Sequence, residues 1–146
     1  MMVLSLLASG SAFGEPDKTG LEVRDFVFSR EKNGVAVTPP VFNIGEKMFI
    51  RFAIGGISFE GNAYDLTMTF KGLGADGSQI GKESSPIPMH KEVANHPDTW
   101  SLPVKMSVVI GTDLPPGVFT YVFTITDNIA KTSVTYKAKL TLQKKA

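Results

Sequence analysis

The chain contains no cysteine. Disulfides, thiol nucleophiles, thiolate metal sites and a lipidated N-terminal cysteine are thereby excluded. Export is not, because 146 residues can bury a core that holds without a covalent staple. Histidine is nearly as scarce, with only His90 and His96, and Trp100 is the single tryptophan. Neither sign of charge is in excess: 15 Lys and Arg face 14 Asp and Glu, a formal net charge of +1. No basic run or stripe stands out, so neither nucleic acid nor an anionic membrane surface is expected as a partner. No apolar stretch approaches the ~20 residues of a membrane-spanning helix. Catalytic frames are missing too. There is no Gly-x-Ser-x-Gly elbow beside either histidine, and Asp65, Asp76 and Asp127 lack the spacing of a calcium loop. Gly72 to Gly77 is glycine-rich, but no helix signal follows it, so it is read as a turn and not as a phosphate cradle.

What is present begins with a compartment signal. Met1 to Ala8 is apolar, Ser9 to Gly14 is mostly small, and Glu15-Pro16-Asp17-Lys18 is sharply polar. Ala12 and Gly14 fit the −3 and −1 positions of a leader cleaved after Gly14, although no basic residue precedes Lys18. Residues 1–14 are therefore expected to be a signal peptide, truncated at its start, and residues 15–146 a single exported, free-standing domain.

Period-two alternation then recurs nearly to the C-terminus, in a composition whose aromatics are mainly phenylalanine, 10 of them. Leu21 to Ser29 predicts a strand with a change of phase, hence a bulge. Val35 to Thr38 predicts a short strand stopped by Pro39-Pro40. Glu46 to Ile54 points Met48, Ile50, Phe52 and Ile54 one way, and Ala63 to Lys71 does the same with Tyr64, Leu66, Met68 and Phe70. Ala75-Asp76-Gly77-Ser78 has the chemistry of a hairpin tip. Gly81 to Thr99, with three prolines and both histidines, reads as a long loop or a frayed edge strand. Val104 to Ile110, Phe119 to Thr126 and Val134 to Leu142 complete the set. Polar and apolar residues alternating strictly along a strand mean one wet face and one buried face. The fold expected is all-β, an antiparallel immunoglobulin-like β-sandwich of about seven strands.

Two segments resemble secreted bacterial immunoglobulin-like modules. Phe42-Asn43-Ile44-Gly45-Glu46, followed by Ile50-Arg51-Phe52-Ala53-Ile54-Gly55-Gly56, is similar to the family's lead-in to an early core strand. Leu114-Pro115-Pro116-Gly117-Val118-Phe119, followed by Ile125-Thr126-Asp127, is similar to its approach to the penultimate strand and the hairpin beyond. The resemblance runs over roughly residues 21–143 and implies an exported, non-enzymatic binding or spacer module. Such modules often carry Tyr where Phe119 stands, and the Cys–Trp–Cys frame of antibody domains is absent.

The candidate site residues are few. Met89, His90 and His96 offer thioether and imidazole donors suited to copper, though without a fourth ligand or a rigid frame. Phe59, in the Gly55 to Gly61 loop, and Trp100 are candidates for ligand contact; the plainer reading tucks both rings into the end of the sandwich. No cofactor and no catalytic residue is expected. The function expected is protein–protein contact by a monomer with an unidentified protein or cell-surface partner. The alternatives are a carbohydrate-binding module, a periplasmic copper or metal carrier using the Met89–His96 loop, and a protease inhibitor, for which no protruding loop is recognisable.

Overall fold

Alternation commits each long segment to one phase, and the computed structural model, which describes residues 20–144, forms strands accordingly. They are β1 (Glu22–Ser29), β2 (Val41–Asn43), β3 (Lys47–Gly55), β4 (Ala63–Leu73), β5 (Gln79–Ile80), β6 (Ile87–Glu92), β7 (Leu102–Val109), β8 (Gly117–Asp127) and β9 (Thr132–Gln143). No helix occurs among the described residues, so none there is long and apolar enough to cross a membrane. The leader expected at residues 1–14 lies outside them.

The strands form two sheets. One is β1-β3-β7; the other is β2-β9-β8-β4, with β5 and β6 both pairing with β4 at that edge. Met48, Ile50, Phe52 and Ile54 of β3, Tyr64, Leu66 and Met68 of β4, and Phe123 and Ile125 of β8 form one buried cluster between the sheets. The centre is aromatic. Phe26 stacks on Phe52 at 5.6 Å and on Tyr136 at 5.1 Å, and Phe52 meets Phe123 at 5.5 Å. Phe70 is only partly buried, but packs on Phe123 at 5.9 Å. The phase change in β1 is a bulge: the register with β3 slips between Arg24 and Val27, and Asp25 takes a φ of 56°. That slip turns Phe26 into the core.

The structure departs from the expected fold in two places. Among the described residues nine strands form, and one pair is parallel: β2 lies beside β9 in register Phe42↔Leu142. Val35 to Thr38 is not a strand. Residues 30–40 instead carry the chain from one sheet to the other, held by Val37 N–H donating to the Phe28 carbonyl and Thr141 N–H donating to that of Pro40. The prolines, with no N–H to give, end the crossing, and the first residues able to join a ladder are Val41 to Asn43. Within the proline-rich segment the edge-strand alternative forms: Ile87–Glu92 pairs antiparallel with β4.

Phe119 cannot make the hydrogen bond a tyrosine would make there. Its ring lies over Gly72, where an added Cβ would stand 2.3 Å from the ring, and edge-on to Tyr121 at 4.9 Å. Glycine at 72 is therefore a packing requirement.

Candidate functional site

The chemistry-bearing residues singled out by the sequence gather mainly at one end of the molecule. β3 ends at Gly55, and Gly56 turns the chain with a φ of +72°; a Cβ there would lie 2.2 Å from the Gly20 carbonyl oxygen, so only glycine fits. The loop that follows is fastened from below. The Ser58 N–H donates to Asp127 Oδ2 at 2.8 Å, while Asp127 Oδ1 accepts from the N–H groups of Ile129 (3.0 Å) and Ala130 (3.2 Å). One side chain, fully removed from solvent, thus ties the β3–β4 loop to the β8–β9 turn. Beside it, the Asn128 amide donates to Asp65 Oδ1 and Thr67 Oγ1, both at 3.0 Å, fixing the same turn to β4.

The second loop, residues 93–101, meets the first at its tip. Val93 N–H donates to the Asn62 carbonyl at 2.7 Å, and Trp100 N–H to that of Pro97 at 3.0 Å. Four rings then close the end. Phe59 and His96 stack with centroids 3.6 Å apart and planes 9° from parallel. Phe59 stands edge-on to Tyr64 at 6.2 Å and to Trp100 at 5.8 Å, and Trp100 meets Tyr64 at 5.6 Å. Aromatic pairs in such geometries contribute about 0.5–1.5 kcal/mol each beyond their buried area. Phe59 and Trp100 are partly buried against the core. His96 Nδ1 is out of solvent and has no hydrogen-bond partner among the described residues.

The candidate copper donors Met89, His90 and His96 are not brought to one face. Met89 lies opposite Leu66 and packs on the core, whereas its neighbour His90, opposite Asp65, is exposed on the other face of the sheet. His96 is held against Phe59 in the following loop. Among the described residues no group of three or more His, Asp or Glu is placed to hold a metal ion, and neither histidine is hydrogen-bonded to a nucleophile.

The sequence reading missed two roles. Tyr64 reads in the sequence only as part of the core phase of β4, yet it joins the ring cluster. Asp127 reads as one acid among others, yet it carries the loop anchor. An Asp at the end of a strand, just before Asn, is the available signal, since such a side chain satisfies the N–H groups of the turn it opens.

No protein-family model matches the chain, and no curated protein matches it at a significant level. Solved structures do resemble it. The C-terminal domain of wzt superposes with a TM-score of 0.55 at 13% identity, over 87% of this chain and 75% of that one. The Pseudomonas fluorescens alkylpurine DNA glycosylase AlkC, bound to DNA with an abasic-site analogue, gives 0.53 at 13% identity over 84% of this chain. A family 123 glycoside hydrolase from Clostridium perfringens gives 0.51 at 10% identity over 86%. The chain spans only 30% of the glycosylase and 28% of the hydrolase. At these identities the likeness is one of fold alone.

Proposed function

We propose that this chain is an exported immunoglobulin-like β-sandwich module with no catalytic role, acting through protein–protein contact. The strand order β1-β3-β7 against β9-β8-β4, closed by an aromatic core, supports the immunoglobulin-like reading. The observation that carries the functional reading is the stapled end. Two loops are ordered by a ring cluster and by Asp127. Ordering them beforehand lowers the entropy lost on binding. Their tips present Glu60, Asn62, Asn95 and Asp98 to solvent. A sugar platform needs a free flat ring face, and here the rings are turned largely onto one another. That favours a protein partner reading the polar tips.

A photo-crosslinking residue placed at Glu60 or Asn95, with Lys137 on the sheet face as control, tests this in the native host. The expected result is a discrete protease-sensitive adduct at the two loop positions and none at Lys137. Mass spectrometry of the captured chain should find it beginning near Glu15. Adducts at no loop position, together with retention on a glycan array, would transfer the reading to carbohydrate.

A further inference from the structure

The outer face of the β1-β3-β7 sheet holds a cavity of about 230 Å³, on a different face from the end cluster. Its lining carries Lys32, Arg51 and Lys105 and no acidic side chain. Arg51 and Lys105 stand directly opposite each other on β3 and β7. Both belong to the solvent-facing phase of their strands, so two like charges share one rung, an arrangement that destabilises a sheet unless something neutralises it. Nothing among the described residues does so. The two ion pairs found there, Arg24–Glu22 and Arg30–Glu46, use other arginines. Arg51 Nη1 is removed from solvent and has no hydrogen-bond partner among the described residues. A guanidinium N–H that is buried and unpaired is costly, and the chemistry that relieves it is an oxyanion accepting from the fork.

The rest of the lining suits such a group. Asn33, held at a φ of 58° in the turn that Gly34 N–H closes onto the Glu31 carbonyl, brings an amide to the rim, and Ser107 brings a hydroxyl. Ser29 lies in the floor, but its hydroxyl already donates to the Glu31 carbonyl at 2.7 Å. Phe49, in the same outward phase of β3 as Arg51, supplies apolar wall. The volume falls below the about 300–1,000 Å³ of sites for drug-sized ligands. It matches a single charged head on a short apolar body.

We propose that this cavity binds a small organic oxyanion, a carboxylate or phosphate ester, with its charged oxygens on Arg51 and Lys105 and its apolar body against Phe49. Lys32 closes over the charge from the loop.

Backbone-amide NMR tests it at fixed ionic strength with three probes of similar shape: phenyl phosphate, benzoate and the neutral benzyl alcohol. Saturable shifts are expected at Asn33, Arg51, Lys105 and Ser107 with one or both anions, and which one saturates first tells phosphate from carboxylate. Benzyl alcohol should bind at least about tenfold more weakly, and Arg51→Gln and Lys105→Gln should each cost the anion about tenfold, the scale of one lost charge-assisted hydrogen bond. Lys105 is exposed, so its variant keeps the test decisive even if Arg51→Gln folds poorly. Equal binding of the neutral probe, affinity unchanged in Lys105→Gln, or shifts that stay linear and spread over surface lysines would each overturn the proposal.

Discussion

Asp127 has no solvent exposure, a costly place for a carboxylate unless its oxygens are met by donors. They are met by three backbone N–H groups, from Ser58, Ile129 and Ala130. Asp127→Ala should therefore destabilise the protein by about 3 kcal/mol, since it strands buried donors as well as deleting the bonds. Chemical denaturation reads this directly. Asp127→Asn, which keeps an acceptor, should lose clearly less. Tyr121 gives a second residue-scale outcome. Burial pushes its hydroxyl up from an ordinary value near 10 to about 12, and burial also raises Tyr136. The folded state thus holds its phenolic protons to higher pH than the unfolded chain. Stability from this source is fully present below about pH 10 and is lost as pH rises toward 12, by about 2–3 kcal/mol for Tyr121. Tyr121→Phe should flatten that alkaline limb. A variant whose alkaline unfolding matches the parent's would contradict the burial argument.

At the scale of elements, β3, β4, β8 and β9 were legible because long half-buried strands print their phase on the sequence. Met48 to Ile54 and Tyr64 to Met68 alternate, and the buried faces follow. Short elements leave no such print. β2 and β5 have three and two residues, too few for a period, and β2 exists because the chain crosses between sheets and meets β9. The bulge in β1 was legible from its broken phase, while β6 could be read only as a loop or frayed edge because Pro88 sits within it. Val122 shows where pattern misleads. It occupies the solvent-facing phase of β8, yet is buried, flanked across the strands by Lys71 and Lys137, whose aliphatic stems cover apolar surface. The same distance effect governs the sites. Phe59 and Trp100 announced themselves as single unusual residues in loops. The Arg51–Lys105 rung depends on a register between strands 54 positions apart, and local pattern cannot supply it.

For the whole molecule, one aromatic core joins both sheets, and its depth is uneven. Phe52 is 3% exposed, and contacts Phe26 and Phe123, whereas Phe70 is only partly buried. Phe52→Ala should cost about 3–5 kcal/mol and Phe70→Ala distinctly less, measured as denaturation midpoints. Equal costs would mean that the two positions are equally deep. The functional reading rests on something beyond this core, namely that the loops at the ring-clustered end are ordered before any partner arrives. Amide hydrogen exchange on the isolated protein tests that most directly. Ser58, Val93, Trp100 and Ile129 donate hydrogen bonds within the stapled end, and should exchange nearly as slowly as amides of β4 and β8, with Ser58 and Ile129 released by Asp127→Ala. Exchange at these four amides near the free-chain rate, while the strands stay protected, would contradict the account.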